Sequence, residues 1–452
     1  MWAEERERSI TGSTATSTAI RHSRKVYSRV SRVEVYLWGK RVGTVSADRC
    51  ASGYCTFTYA NEFRELGIEL SPLHMPVERE PYLFDRLPEA TYRGLPALLS
   101  DSLPDDFGTG LVNRYLAARG VAVCDVTPLD RLAYMGNRAM GALVFRPSCG
   151  PAVRKATAID MERLVAEARM AVTGCLDSDG RADAALRHLI GVGTSAGGAR
   201  AKAVIAWNRR TGEIRSGQAD VPSEFEHWLL KFDGIGTDSE HGVSQEYGRI
   251  EYAYHLMAKK AGIRMSECRL LHENGRAHFM TARFDRGNGT IRHHIQTLCA
   301  MNHLDFRKKG THAYAGLFGT IEALKLPYED KEEAFRRMAF NVMGKNCDDH
   351  TKNVSFLLRQ GHTWELAPAY DITFAHNPRG EWTRQHQMAV NGKFKDFTRN
   401  DLLAEAARFG IGTAERILEQ VRDAIAGWPS FADEAGVSET QAQTIGRQLI
   451  LL

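Results

Sequence analysis

The stretch that decides the fold is NCDDHTKNVSFLL, residues 346–358. It opens with two adjacent aspartates, Asp348 and Asp349, and a Lys-Asn pair precedes its final apolar run. Another apolar segment, MAFNVM (338–343), comes shortly before it. Burying an unpaired carboxylate is costly. A cluster of polar groups between two apolar segments therefore indicates a functional site rather than a plain solvated loop.

The spacing inside this stretch indicates its chemistry. Asn353 lies five residues after Asp348, and Lys352 directly precedes the Asn. A protein-kinase catalytic loop has this spacing; its Asp accepts the proton of the substrate hydroxyl and its Asn binds a metal ion. The stretch therefore predicts Asp348 as the catalytic base, Asn353 as a magnesium ligand and Lys352 as a stabiliser of the transferred phosphoryl group.

A second metal-binding aspartate is predicted further along the chain. Asp371 lies in LAPAYDIT (366–373), an apolar strand-like segment, eighteen residues after Asn353. Ordinary protein kinases have DFG at this place, and this chain has YDI. A buried capping aspartate is the alternative interpretation of the segment alone. Together with the catalytic-loop spacing, the position favours a magnesium ligand.

A lysine inside an apolar strand, HWLLKFDG (227–234), indicates a phosphate-binding group. Lys231 must pair its ammonium group, and protein kinases pair such a lysine with nucleotide phosphates and a helix carboxylate. Glu251, in a predicted helix about twenty residues later, is the expected partner, and Glu246 is the second choice. Taken alone, Lys231 fits better a strand-end lysine that reaches water.

The glycine-rich stretch GVGTSAGGARAKAVI (191–205) could bind phosphate through its backbone. Glycines let the chain bend sharply and present N–H groups to phosphate oxygens. The stretch is not a Walker A loop, because no GKS or GKT follows at the needed spacing. A tight turn is an equally good interpretation of this stretch on its own.

Composition limits the class of protein. The chain has 452 residues, of which 43% are hydrophobic and 25% charged, and this is typical of a globular protein with two or three folding units. A net charge of +4 is too small to indicate a nucleic-acid or membrane coat. The eight cysteines contain no CxxC pair, so we expect reduced thiols rather than a zinc site or disulfides.

No segment indicates export or membrane insertion. The N-terminus, MWAEERERSITGSTATSTAI, lacks the apolar region of a secretory signal, and no run approaches eighteen apolar residues. We therefore expect a cytoplasmic protein without membrane contact. Residues 1–31 are polar and without apolar periodicity, and they predict a disordered leader.

The distribution of patterns predicts an α+β fold. VEVYLWGKRVGTVS (33–46) alternates as a β-hairpin does, and strands with one helix are predicted between about 201 and 286. Almost everything after 287 has helical periodicity except DDHTKNVSFLL (348–358) and WELAPAYDIT (364–373). We expect a β-rich N-terminal half and an all-helical C-terminal half, with the chemistry between them. The predicted divisions are 32–150, 151–286 and 287–452.

Several motifs, taken in order, resemble the HipA family, serine/threonine kinases of toxin–antitoxin systems with a protein-kinase-like two-lobed fold. The resemblance covers about 33 to 430. Besides the segments quoted above, it rests on FDRLPEATYRGLPALLSDSLPDDFG (84–108), GNRAMGALVFRP (136–147) and ARFDR (282–286). Several independent motifs in one order are far more specific than any one of them.

The resemblance also implies roles for individual residues. Ser195 falls at the family's autophosphorylated serine, and Ala282, Arg283 and Phe284 at the hinge that contacts adenine. His350, Thr351 and Asn353 would lie along the nucleotide, and Tyr370 would adjoin it. Lys231 would bind the α and β phosphates. The ATP-phosphate loop would comprise Gly197, Gly198, Ala199, Arg200, Ala201 and Lys202.

The resulting hypothesis is an ATP- and Mg²⁺-dependent serine/threonine protein kinase that arrests growth. The resemblance implies a translation-related protein substrate, such as an aminoacyl-tRNA synthetase, and a HipB-like antitoxin through which any DNA contact is made. A first alternative is a catalytically weak corepressor that acts mainly by binding that antitoxin. A second alternative is a small-molecule kinase of the same broad fold. Residues 33–150, which resemble the HipA N-terminal subdomain, argue against this alternative.

Overall fold

The structure is a computed structural model, and it describes residues 29–47, 53–151, 159–172, 189, 192, 201–218, 221–233, 246–273, 275–287 and 290–452. The predicted disordered leader lies outside the described residues as far as residue 28, and Ser195 and residues 197–200 lie outside them as well. Where the description begins, the Val30 amide donates a hydrogen bond to Asp130 Oδ1 at 3.1 Å.

The N-terminal part of the chain, residues 29–151, is built on a four-stranded antiparallel sheet with the order β3-β2-β1-β4. Its strands are β1 (Arg32–Leu37), β2 (Lys40–Ala47), β3 (Cys55–Tyr59) and β4 (Leu143–Arg146). The predicted hairpin is confirmed, with Leu37 opposite Lys40. Trp38 and Gly39 form its turn at φ 48° and 78°, because a two-residue turn that follows the sheet twist needs positive φ at both positions.

Short helices cover this sheet and complete the apolar core of the N-terminal part. They are α1 (Asn61–Arg64), α2 (Glu89–Tyr92), α3 (Ala97–Ser100), α4 (Asp106–Ala117) and α5 (Pro128–Met135), with a 3-10 turn at Val123–Asp125. Helix α5 begins with a capping box, in which Thr127 and Asp130 bond each other's backbone amides. Helix α6 (Met161–Val172) follows.

A five-stranded antiparallel sheet, the middle sheet, has the order β6-β5-β7-β9-β8. Its strands are β5 (Lys202–Trp207), β6 (Ile214–Ser216), β7 (Glu226–Lys231), β8 (Cys268–Glu273) and β9 (Arg276–Ala282). Helix α7 (Tyr247–Lys260) packs on β8 and β9. Gly248 permits this close packing, because a Cβ there would lie 2.2 Å from the Ala277 carbonyl oxygen. The sheet and its helix lie where the sequence predicts strands and one helix.

The C-terminal part, residues 290–452, is mainly helical. Its helices are α8 (Leu298–Met301), α9 (Tyr314–Ala323), α10 (Tyr328–Met343), α11 (Arg399–Arg408), α12 (Ala414–Ala426), α13 (Trp428–Glu434) and α14 (Glu439–Gly446). Helices α7, α10, α12 and α13 meet around the buried rings of Tyr254, Phe340 and Trp428. Among the described residues, none of the helices is both long and apolar enough to cross a membrane.

The prediction of an all-helical C-terminal half needs a correction. Three strands form an antiparallel sheet with the order β10-β12-β13, and two short strands pair in parallel. They are β10 (His294–Thr297), β11 (His312–Ala313), β12 (Ser355–Leu358), β13 (Trp364–Leu366) and β14 (Met388–Ala389). The apolar run after Asn353 pairs on both sides with other segments, which a run of four residues cannot do as a helix.

A buried ion cluster joins the N-terminal part to the end of the middle sheet. Asp285 is fully buried and accepts bonds from Arg283 at 2.9 and 2.6 Å, from Arg286 at 2.5 Å and from the Gly141 amide at 2.8 Å. Although burial raises the pKa of Asp285, the two guanidinium groups outweigh it and hold that pKa well below its usual range. Gly141 has φ 78°, a conformation that favours glycine.

Further hydrogen bonds dock the N-terminal part on helix α8. Asp101 accepts from the Thr297 amide at 2.7 Å and from its hydroxyl at 2.9 Å. Tyr92 donates to the carbonyls of Leu304 and Cys299 at 2.6 and 3.0 Å. These bonds place residues 101–105 next to the segment that carries the catalytic-loop spacing.

The Asp285 cluster yields a stability prediction. Asp285→Asn leaves two buried guanidinium groups without their carboxylate, and breaking a buried pair in this way costs about 3–5 kcal/mol. We expect a clearly lower urea midpoint, followed by tryptophan fluorescence. Asp423→Asn is the matched control, because Asp423 is exposed and, within the described residues, its ion pair is with its neighbour Arg422 at the surface. A midpoint equal in both variants would contradict the assigned role of the cluster.

Candidate active site

The centre of the site is a buried lysine held by two carboxylates. Lys231, at the end of β7, contacts Glu251 of α7 and Asp371 of the segment after β13. Burial disfavours the charged lysine, but the carboxylates of Asp371 and Glu251 more than compensate and raise the pKa of Lys231. Glu246, the second-choice partner, instead accepts bonds from Ser438. Three separate segments therefore converge on one ammonium group.

A second lysine lies beside the first. Lys202 in β5 is directly opposite Lys231 in β7, and only 5% of its side chain is exposed. Its Nζ lies 3.8 Å from Oδ2 of Asp105, which belongs to the N-terminal part. Burial lowers the pKa of Lys202. The two lysines thus place two ammonium groups next to each other at the ends of the inner strands β5 and β7. Such a pair of cations suits a polyphosphate ligand. Ala201 is buried next to Lys202.

Asp371 is fixed by its backbone as well as by its ion pair. Its φ is 52°, in the left-handed region that aspartate tolerates better than most residues. Burial opposes ionisation, but Lys231 and Lys202 keep the pKa of Asp371 below its usual range. The Cys347 amide donates to the Ala375 carbonyl at 2.9 Å. This bond ties the segment that carries Asp371 to the start of the catalytic loop.

The catalytic loop, residues 345–353, is closed by its own polar residues. Asn353 Nδ2 donates to the Asp348 carbonyl at 2.8 Å, and the Asn353 amide donates to the His350 carbonyl at 2.8 Å. The Asp348 carboxylate is 35% exposed and accepts the indole N–H of Trp382 at 2.6 Å. His350 Nε2 lies 3.7 Å from the same carboxylate oxygen.

The neighbouring aspartate has a different environment. Asp349 is buried and accepts from the Tyr314 hydroxyl at 2.8 Å, from His386 Nδ1 at 2.9 Å and from the Gln387 amide at 2.7 Å. Burial and three donors from the chain itself indicate a structural role for Asp349. It anchors residues 386 and 387 to the loop, a role that no spacing in the sequence signals.

The residues predicted for the adenine hinge and the nucleotide edge have mixed environments. The Phe284 and Tyr370 rings lie 5.9 Å apart, and the Tyr370 hydroxyl donates to the Lys352 carbonyl at 2.7 Å. The Arg283 side chain belongs to the Asp285 cluster, and its amide donates to the His227 carbonyl at 2.9 Å. The Ala282 amide donates to the Glu267 carbonyl at 2.8 Å. Neither amide is therefore left for an adenine base.

Two further loop residues have structural surroundings. Thr351 is fully buried, and its carbonyl accepts the Cys299 amide at 3.0 Å. Its side chain is therefore not exposed at the surface of the loop, and its position along the nucleotide stays a prediction. Lys352 Nζ lies 5.0 Å from the centre of the Phe306 ring, on the same side of the loop as His350.

The donor atoms of the site fit Mg²⁺. Within the described residues, no group of three or more His, Cys, Asp and Glu side chains is arranged to hold a metal ion. Mg²⁺ needs less, because it prefers hard oxygen ligands and commonly binds one or two protein side chains together with nucleotide phosphates. Asp371 supplies a carboxylate. Asn353 Nδ2 donates its hydrogen bond within the loop, so the side-chain oxygen Oδ1 of Asn353 is the atom available to bind a metal ion.

Family models match both parts of the chain. A model described as the HipA-like C-terminal domain matches residues 194–428, more than half of the chain, and a model of the HipA N-terminal domain matches residues 33–146. The chain belongs to the HipA family. The resemblance read from the ordered motifs is thereby confirmed.

Two solved structures were compared with this chain. HipA of Shewanella oneidensis MR-1, in a complex with HipB and its operator DNA, is 18% identical. The match covers 92% of this chain and 94% of that chain, with a TM-score of 0.65, so the two share the HipA fold. The Helicobacter pylori proinflammatory kinase CtkA is 14% identical over 49% of this chain and 84% of that chain, with a TM-score of 0.33. No curated protein sequence matches.

Three functional candidates of this HipA-family chain escaped sequence reasoning. Asp105 contacts Lys202 across the boundary between the N-terminal part and the middle sheet, and Asp349 and Trp382 hold the catalytic loop. Asp105 lies in a motif that marked the family without suggesting a site. Trp382 has no local signal, because only the fold brings residue 382 to residue 348.

The Asp349–His386 pair yields a prediction on pH. Burial alone would lower the pKa of His386, but the Asp349 carboxylate raises it to about 10 from an ordinary value of 6.5. The folded chain therefore binds this proton more tightly than the unfolded chain. The resulting stability is fully present below pH 6.5 and disappears as the pH rises through about 10.

We expect the wild type to lose about 2–4 kcal/mol more stability than His386→Gln between pH 7 and pH 10, from the free energy of a pKa shift. Urea midpoints at each pH measure it. His362→Gln, at an exposed histidine, is the matched control and should keep the wild-type slope. Equal slopes for the wild type and His386→Gln would show that the pair is not ionic.

Proposed function

We propose that this HipA-family chain is an ATP- and Mg²⁺-dependent serine/threonine protein kinase. One observation carries the proposal: Lys231, Glu251 and Asp371 meet at one buried point, and the backbone bond between Cys347 and Ala375 ties the Asp371 segment to the catalytic loop. Phosphoryl transfer depends mainly on positioning and charge neutralisation, and this arrangement can supply both.

Each residue then has a defined task in the transfer. Lys231, oriented by Glu251, binds the α and β phosphates of ATP. Asp371 and Asn353 hold Mg²⁺, which when bound neutralises phosphate charge. The substrate hydroxyl oxygen bonds to the γ-phosphorus as the bond between that phosphorus and the β–γ bridging oxygen breaks, and ADP leaves. Asp348 accepts the hydroxyl proton, since its carboxylate is partly exposed.

The remaining predicted residues complete the proposal. Lys352 stabilises the transferred phosphoryl group, and Lys202 adds positive charge beside Lys231. The glycine-rich residues 197–200 cover the phosphates, and Ser195 accepts a phosphate from ATP in autophosphorylation. Phe284 and Tyr370 contact the adenine side of the nucleotide, supported by the 5.9 Å between their rings.

The partner and substrate are proposed from the family. HipA of Shewanella oneidensis is solved with HipB and operator DNA. We infer that this chain likewise binds a HipB-like antitoxin, which makes the main DNA contact. A protein of translation, such as an aminoacyl-tRNA synthetase, is the proposed substrate, and its phosphorylation would arrest growth. A corepressor without useful kinase activity is the competing proposal, and the first experiment below separates the two.

Asp348→Asn tests the catalytic assignment. The variant keeps the shape of the side chain but removes the proton acceptor, a change that typically lowers the rate by about 10²–10⁴-fold. We expect such a loss in phosphate incorporated into the purified protein from radiolabelled ATP with Mg²⁺. Asp396→Asn, at an exposed aspartate outside the site, should retain the wild-type rate. Full activity of Asp348→Asn would refute the assignment.

Ser195→Asp tests the proposed regulation. A phosphate on Ser195 adds about −1.5 to −2 charges beside the residues proposed to hold the ATP phosphates, so it should repel the nucleotide. We expect Ser195→Asp to bind Mg-ATP at least about tenfold more weakly than wild type in a calorimetric titration, which corresponds to about 1.4 kcal/mol. Ser195→Ala should bind as wild type does. Equal affinity of all three proteins would overturn the switch.

A further inference from the structure

Residues 382–387 lie against the catalytic loop and contact both of its aspartates. Trp382 donates its indole N–H to Asp348 Oδ1, and His386 and Gln387 donate to Asp349. Gln387 Nε2 also donates to the Trp382 carbonyl at 2.5 Å, which closes the segment on itself. The acidic pair thus binds one segment at two points, one at the exposed aspartate and one at the buried aspartate.

The buried contact is the stronger anchor of the two. Asp349 and the His386 side chain are almost completely buried and bond at 2.9 Å. A charged hydrogen bond in such surroundings holds its partners more firmly than one in water. The position of Trp382, four residues before His386, is therefore set mainly by the anchor and not by its own contact with Asp348.

Trp382 has further contacts at the surface of the loop. Its ring lies 6.1 Å from the His350 ring in an edge arrangement, and Lys309 Nζ lies 5.8 Å from its centre. Lys309 also forms an ion pair with Glu381, directly before Trp382. The contacts with His350 and Lys309 restrict the orientation of the indole ring, and therefore the direction in which its N–H points.

We propose that Trp382 is a positioning residue for Asp348. A carboxylate that is 35% exposed can rotate, because the last torsion of an aspartate side chain has a broad energy minimum. The indole N–H holds Oδ1 and thereby fixes the plane of the carboxylate. No donor from the described part of the chain bonds Oδ2, so that oxygen remains to accept the substrate proton. This inference rests on the proposed kinase function.

The test compares two Trp→Phe variants. Trp382→Phe removes the N–H and keeps an aromatic ring. Trp428→Phe removes a comparable indole bond, 2.8 Å to the Ala442 carbonyl, at a tryptophan whose indole N–H bonds neither aspartate of the loop. The rate of phosphate incorporation into the protein is measured over a range of Mg-ATP concentrations, which separates the maximal rate from the half-saturating concentration.

We expect Trp382→Phe to lower the maximal rate about tenfold, the effect of losing one oriented hydrogen bond of about 1.4 kcal/mol. The half-saturating ATP concentration should stay within about twofold, because Trp382 touches the base and not the lysine-centred phosphate site. Trp428→Phe should match the wild type in both quantities. The loss should also vanish when Asp348 is already replaced by Asn, since nothing then remains to orient.

The outcomes distinguish this inference from the function on which it rests. If wild type and Asp348→Asn incorporate phosphate at equal rates, the kinase proposal fails and the role of Trp382 fails with it. If the wild type is active and Trp382→Phe equals it, only the positioning role fails. A faster Trp382→Phe would also overturn the proposal, because the indole would then block the base instead of orienting it.

Discussion

The ion pairs of Lys231 are the interaction on which the rest of the site depends. A lysine ammonium group is costly to bury, and here it lies at the end of an apolar strand with carboxylates on two sides. Glu251 fixes it from the helix packed on the middle sheet, and Asp371 fixes it from the segment after β13. The two ion pairs therefore link the strand, the helix and the C-terminal part at one point.

Polar contacts also join the N-terminal part to the rest of the chain. Asp285, Asp101 and Asp105 each make a buried contact across a boundary between parts of the chain. Asp105 brings a carboxylate to Lys202 at the start of strand β5. A change in how the N-terminal part docks would therefore alter the charge around Lys202, and this gives any partner bound to that part a physical route to the site.

Sequence reasoning predicted the parts of this structure that follow from local pattern or fixed spacing. The β1–β2 hairpin follows from alternation, and Asp348 with Asn353 follows from a five-residue spacing. It could not predict contacts between distant residues, such as that of Trp382 with Asp348. The short strands of the C-terminal part were missed for a related reason, since runs of two to four residues become strands only through their partners. Thr351 is predicted along the nucleotide because its neighbours fit a motif, and that motif does not signal the burial of its side chain.

The two adjacent aspartates show how one local sequence divides two tasks. The two side chains have different surroundings, because Asp349 is buried in the core and the Asp348 carboxylate is 35% exposed. Asp349 accepts from three donors there, and protonation of this carboxylate would weaken bonds that hold the loop. Asp348 keeps one oxygen without a donor from the described residues. Of the pair, Asp348 is therefore the better candidate for the proposed base, and Asp349 holds the segment that contacts it.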